Sequence, residues 1–374
     1  MAMCCFNARW RGDCFLAAEA MTASDAGTTT APSTTLARER ELLNAARDGG
    51  QDAFAQLVEP YRRELQAHCY RMLGSYADAE DALQETLLRA WRGLPRFEGR
   101  SSLRSWLYTI ATNTSLRAIE RRPKRVVPID YAPAADPHDG PAAPVNDPIW
   151  LEPFPDENLG LEGLAGPEAR YEQRESVELA FIAALQHLPA RQRAVLILRD
   201  VLGFSARETA DVLATTPVSI DSALQRAHKA VDERLPSRSQ QQTLRDLGDD
   251  ELARLVERYV AAWERNDVDA VVAMLAEDVR IVMPPLPSWY SGREQVAAFL
   301  AAYPLPGTRR WRMVPTSANG QPALAAYAWN EHTGAFTPHS ITVLTLRGGE
   351  IEEIMAFLDP ELLAPFGLPA SLSA

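Results

Sequence analysis

The chain has 374 residues, 46% hydrophobic and 24% charged, with a formal net charge of −12. That length is more than one core serves well, so two or three domains are expected, and the composition excludes fibrous and wholly disordered classes. No apolar run approaches the ~20 residues of a membrane-spanning helix, and Cys4, Cys5, Cys14 and Cys69 form neither a disulfide framework nor a metal-ligand spacing. A reduced cytoplasmic protein without metal, cofactor or membrane contact is the expectation.

Residues 1–35 read as a disordered arm. Arg9, Arg11 and Asp13 interrupt its short apolar stretches, which argues against a secretory signal. Met21, ahead of a Ser/Thr-rich segment, is the expected natural start. Over residues 36–122 apolar side chains recur at spacings of three and four, predicting an all-α domain. Within Asp78 to Leu94, Ala79, Ala82, Leu83, Leu87, Ala90, Trp91 and Leu94 form a core face. The opposite stripe holds Glu80, Asp81, Gln84, Glu85, Leu88, Arg89 and Arg92, a solvated face on its own evidence.

The acidic total hides a basic segment. Between Thr86 and Arg125 there are 10 basic residues against Glu98 and Glu120, a net +8. Aromatics lie among these arginines in the run from Gly99 through Arg100, Arg104 and Trp106 to Tyr108. Arginine neutralises phosphate and aromatic faces stack on unpaired bases, so the mixture suits a melted DNA strand. Leu103, Trp106, Leu107, Ile110 and Thr114 share one stripe, which makes Trp106 a core candidate. Arg100, Arg104, Tyr108, Asn113 and Arg117 are the candidate DNA contacts.

Residues 123–167 carry 10 prolines and are acidic, predicting an extended linker. Ile149 to Asp156 places Trp150 and Phe154 inside it; docking onto a domain, threading through a larger partner and a plain spacer all remain open. Helical patterning returns over 168–236. Ser205-Ala206-Arg207-Glu208 is a capping box, and Thr216-Pro217 is a cap followed by proline at the first helical position. The second helix would bury Ile220, Ala223, Leu224, Ala227 and Val231, and present Ser219, Asp221, Ser222, Gln225, Arg226 and Lys229. This is the helix-turn-helix pattern, which plain helical hairpins share. Pro236 to Gln242 reads as a polar break.

Residues 244–370 predict a third, α+β domain. Glu251 to Ala262 is an amphipathic helix and Asp269 to Glu277 begins another. Val279–Met283, Ala323–Trp329, Ser340–Leu346 and Ile351–Leu358 are strand-like, suggesting a curved sheet. Asp359, Tyr290, His332 and His339 are the residues an acid-base site would draw on, although their spacing does not set them apart, and no catalytic residue is assigned.

The segment Asp78 to Trp91, followed in order by Ser101 to Asn113, resembles extracytoplasmic-function (ECF) sigma factors of the sigma-70 family, and Leu188 to Leu196 with the helix-turn-helix continues the likeness. The pattern of 244–370 resembles the SnoaL-like cone fold, related to ketosteroid isomerases and nuclear transport factor 2. The resemblance implies region 2 over 36–122, region 4 over 168–236 and a regulatory domain over 244–370. It implies that Asp81, Gln84, Glu85 and Arg89 grip the β′ clamp of core RNA polymerase. It further implies that the Arg100–Arg117 set reads the minus-ten element, and that region 4 meets the β flap and the minus-thirty-five element. Contacts of the last domain with region 2 and the linker are expected. Asp221 and Ala223 stand where the family often has basic residues, so a different promoter sequence is expected. Two rival readings are a helix-turn-helix regulator acting without polymerase and a SnoaL-like enzyme fused to a DNA-binding region.

Overall fold

A computed structural model describes residues 32–145, 149–160 and 167–374. The expectations for most of the arm and for Cys4, Cys5 and Cys14 lie outside the described residues. Helix α1 spans Pro32–Arg47 and so starts ahead of the expected boundary at 36.

Four more helices complete the first region: α2 (Gln51–Val58), α3 (Arg62–Leu73), α4 (Tyr76–Gly93) and α5 (Leu103–Arg121). The sequence sets their ends. Gly74 terminates α3 in the left-handed region at φ 68°, and Ser75 then caps α4 by accepting from the Asp78 amide at 3.1 Å. Leu65, Cys69, Met72, Leu83, Leu94 and Leu107 fill the core between α3, α4 and α5.

The second region contains α6 (Pro167–Glu175), α7 (Leu179–Gln186) and α8 (Ala190–Leu196), which continues as a π-helical turn over Ile197–Val201. The helix-turn-helix follows as α9 (Ala206–Leu213) and α10 (Pro217–Asp232). The Ser205–Glu208 capping box is reciprocal, at 3.2 and 2.8 Å. Thr216 caps α10, accepting from the Ser219 amide at 3.3 Å. Ile220, Ala227 and Val231 are buried, whereas Ala223 and Leu224 are half-buried.

The proline-rich segment is not a plain extended spacer. Val126 and Trp150 pair in a parallel bridge, a helical turn spans Pro128–Tyr131, and Trp150, Leu151, Phe154 and Leu159 are buried. Proline forbids regular helix but not docking. The large apolar side chains provide the burial that holds this segment on the domains.

Beyond it come α11 (Gln240–Leu247), α12 (Asp249–Glu264) and α13 (Val268–Val272). The polar break is shorter than expected, because Ser239 caps α11 by accepting from the Gln242 amide. The helix expected from Asp269 to Glu277 stops at Val272, and β1 takes over at Leu275. The strands are β1 (Leu275–Val282), β2 (Trp289–Ser291), β3 (Trp311–Ala318), β4 (Gln321–Asn330), β5 (Ala335–Arg347) and β6 (Glu350–Phe357), with α14 (Arg293–Ala302) between β2 and β3. The sheet order is β2-β1-β6-β5-β4-β3, parallel between β1 and β6 and antiparallel elsewhere. One face buries Leu324, Leu344 and Ile354 against Tyr259, Trp263 and Phe299 from α12 and α14. The other carries Ala323, Ala325, Tyr327, Val343 and Met355, which join a single apolar cluster with Phe154 of the linker and the two helical regions. Burial on both faces explains why β4 reads as a continuous apolar run.

Candidate polymerase and promoter contact surfaces

On α4 the buried residues Ala79, Ala82, Leu83, Thr86 and Ala90 hold the helix against α3 and α5. That leaves Asp81 and Gln84 exposed and Glu85 and Arg89 half-buried, all on one outward stripe. Arg89 Nε lies 2.5 Å from Glu85 Oε1, one helical turn apart. Leu88 stands among these polar groups with 42% of its surface exposed, an apolar centre ringed by charge.

The basic segment divides into internal and outward arginines. Arg125 is buried and pairs with Asp78 at 2.5 Å, donates to the Trp150 carbonyl at 2.9 Å and lies 3.5 Å from Glu152. Arg122 pairs with Asp78 and lies 3.6 Å from Asp81. Arg92, Arg96, Arg117 and Arg121 are exposed, and Arg100, also exposed, pairs with Glu98 at 2.5 Å.

Besides Arg100, three of the five candidate minus-ten contacts make internal bonds. Tyr108 is fully buried: its hydroxyl donates to Glu64 at 3.2 Å and its ring meets His68 and Phe204 edge-on. Burial, then the Glu64 carboxylate, raises its pKa. It was expected at the DNA surface; at i+4 from Arg104 it instead turns inward with Leu107 and Ala111. Arg104 is half-buried, 3.5 Å from Glu64, its guanidinium 4.8 Å from the Tyr108 ring and 5.3 Å from that of Phe204. Phe204 belongs to the second region, so the helix-turn-helix entry loop covers this part of α5. Asn113 donates to the Thr109 carbonyl at 2.9 Å. Trp106 is half-buried against Phe97, 4.8 Å between ring centres.

On α10 the arrangement is open: Ser219, Asp221, Ser222, Gln225, Arg226 and Lys229 are all exposed. The helix is anchored from behind by α8 and α9.

The regions are joined by buried polar groups that the sequence reading did not single out. Arg193 on α8 is buried and donates to the Met72 carbonyl of the first region, to Gln186 Oε1 at 2.5 Å and to the Leu188 carbonyl at 3.3 Å. Burial lowers its pKa to about 10. Arg71 on α3 donates to Gln173 at 2.7 Å and to the Ser176 hydroxyl at 2.8 Å.

The tightest junction is the β3–β4 turn. Asn319 and Gly320 both have positive φ, 57° and 70°, forming the two-residue hairpin connection. Asn319 is fully buried: its Oδ1 accepts from the Phe154 amide at 2.8 Å, and its Nδ2 donates to the Tyr70 hydroxyl at 2.8 Å and the Val177 carbonyl at 2.7 Å. The Gly320 amide donates to Asp156 at 2.7 Å, and a Cβ on Gly320 would lie 2.9 Å from Gln241 Nε2. Gln321 Oε1 accepts from the Leu179 amide at 3.0 Å. One turn therefore touches α3, the linker and the start of the second region. Beside it, burial raises Asp156 to about 6 and Glu178 to about 8, although both carboxylates accept backbone amide bonds. The Asn-Gly dipeptide between two strand-compatible runs was the signal available for this turn.

The acid-base candidates of the last domain are not brought together. His332 and Asp359 are exposed, and Asp359 caps the 3-10 helix Pro360–Phe366. His339 on β5 lies beside Trp311 at 5.1 Å, its pKa lowered by burial and then by Arg309. Tyr290 on β2, separated from β5 by β1 and β6, stacks on Phe299 at 4.5 Å. Among the described residues no group of three His, Cys, Asp or Glu side chains is placed to hold a metal, and no helix is long and apolar enough to cross a membrane.

Known proteins define the class of this assembly. Residues 57–125 match sigma-70 region 2, 178–231 match sigma-70 region 4, and 256–354 match the SnoaL-like domain. The chain is 43% identical over 331 residues to the ECF RNA polymerase sigma factor SigG of Mycobacterium tuberculosis, covering 85% of each. It is 27% identical over 198 residues to the RNA polymerase sigma-H factor of Pseudomonas aeruginosa, covering 53% of this chain and 94% of that one. The fold is similar to that of the M. tuberculosis sigma factor SigJ, with TM-score 0.51, 22% identity, and coverage of 82% and 97% respectively. The chain belongs to the ECF RNA polymerase sigma factors, with a SnoaL-like domain following the two sigma regions.

Proposed function

We propose that the chain binds core polymerase through the Asp81, Gln84, Glu85 and Arg89 stripe and directs it to promoters through two DNA surfaces. Region 4 reads the upstream element with the outward residues of α10. Region 2 captures the melted minus-ten strand with Arg100, Arg104, Asn113 and Arg117, while Tyr108 supports Arg104 from within. The protein works in the cytoplasm and performs no chemistry; polymerase supplies the metal and the nucleotidyl transfer. The observation that carries this reading is the pair of outward polar faces, on α4 and α10, within two sigma regions of one chain.

The SnoaL-like domain restrains this activity. Supporting that reading, the Asn319-Gly320 turn bonds α3, the linker and the start of region 4 together, and Phe204 of region 4 covers Arg104. Separation of the two regions would uncover Arg104. The deciding experiment is promoter-directed run-off transcription with core polymerase and the full-length chain. Promoter-specific transcripts that depend on the chain are expected. Tight duplex binding without polymerase, and no transcripts with it, would favour a free-standing regulator.

A further inference from the structure

Large apolar side chains are exposed at three described positions, Leu88, Tyr131 and Val218, and Val218 is the most exposed at 75%. It is the second residue of α10, directly after the Thr216 cap and Pro217. The cap fixes this first turn: Thr216 accepts from the Ser219 amide, and the two hydroxyls lie 3.0 Å apart. At helical spacing Val218 heads the outward stripe of Asp221, Ser222, Gln225, Arg226 and Lys229, while Ile220, Ala227 and Val231 are buried on the other side.

Valine in a helix keeps essentially one side-chain rotamer, so its two methyl groups point in a set direction at little entropic loss. The first turn of a recognition helix is the part that meets base edges. Asp221, three residues on, repels phosphate, so this end of the stripe is unsuited to the backbone, whereas Arg226 and Lys229 suit it. Among base edges in the major groove, thymine alone presents a methyl group.

We propose that Val218 reads the C5-methyl of a thymine in the upstream promoter element. The inference rests on the reading of α10 as the recognition helix. The test uses holoenzyme assembled from core polymerase and the full chain, transcribing a template pool randomised across the upstream element. In the template most enriched, each thymine is then replaced singly by deoxyuridine, which removes only the methyl. One thymine is expected whose replacement lowers transcript yield about fourfold, the worth of one buried methyl-sized group, with no such loss for Val218→Ala. The proposal is overturned if no upstream thymine is enriched, if Val218→Ala holoenzyme shows the same loss, or if that variant lowers yield equally on every template, as a polymerase contact would. Gln225→Ala and Arg226→Ala separate the two levels. If they change the enriched sequence while deoxyuridine is harmless, only the role of Val218 fails; if they leave it unchanged, the recognition-helix reading falls and takes the proposal with it.

Discussion

Apart from Arg100, the basic residues proposed to meet DNA lie on two helices, and the fold treats them oppositely. On α10, Arg226 and Lys229 stand in solvent with their neighbours Ser222 and Gln225. On α5, Arg104 is held between Glu64, Tyr108 and Phe204, while Arg117 is exposed. Both helices read as basic or polar in sequence. What separates them is the packing partner: α10 has its back to α8 and α9, while α5 is covered at one end by the loop that opens the helix-turn-helix. The outward face of α10 is thus open in the closed fold, whereas Arg104 on α5 lies against Phe204 of region 4.

The comparison is broken most forcefully at the cover itself. Phe204→Ala removes a buried aromatic and is expected to destabilise the chain by about 3–5 kcal/mol, seen in urea unfolding. If the cover restrains strand capture, surviving folded protein binds single-stranded minus-ten DNA more tightly than the parent. Unchanged binding would mean that Arg104 is not a masked contact.

Asn319→Ala acts at a distance from both DNA surfaces. It leaves the Phe154 amide and the Val177 carbonyl without their partner, for an expected loss of about 2 kcal/mol. Faster proteolysis within residues 123–167 and higher run-off yield should accompany it. A lower yield would show the SnoaL-like domain to be an activator.

Glu178 sharpens the same junction through pH. Burial raises its carboxyl from 4.5 to about 8, so the closed fold favours the protonated form. Its contribution is fully present below about pH 4.5 and is lost as pH rises through about 8. Glu178→Gln is expected to flatten the fall in unfolding midpoint across that window; an unchanged slope would place the titration elsewhere.

The smallest effect belongs to the open surface. Ser205→Ala removes half of the capping box and is expected to lower stability by about 1 kcal/mol. Since the cap positions α9 rather than the outward face of α10, promoter preference in the randomised pool should stay the same.

Local signals in the sequence reached as far as single elements. Ser205 with Glu208, and Thr216 with Pro217, announced both helices of the helix-turn-helix, and the alternation of α4 separated Asp81 and Gln84 from Ala82 and Leu83. These features depend on neighbours within four residues, which periodicity and capping chemistry report directly. Where the signal was weaker, elements were missed: β3 holds Pro315, and α14 lies between two strands with no polar cap, since Gly292 precedes it. The run from Asp269 to Glu277 mixed both periods, and strand pairing of Leu275 with Ile351 ended the helix.

By itself, then, the sequence determined the class of protein, the order of its regions and which faces of α4 and α10 turn outward. Tertiary structure decided what those faces meet. Tyr108 turned inward because Glu64, 44 residues away, accepts its hydroxyl. The linker became ordered because Phe154 found Tyr70 and Tyr76. Asn319 became a junction because Tyr70 and Val177 lie beside it. Each of these outcomes depends on partners distant in the chain, and neither composition nor periodicity carries that information.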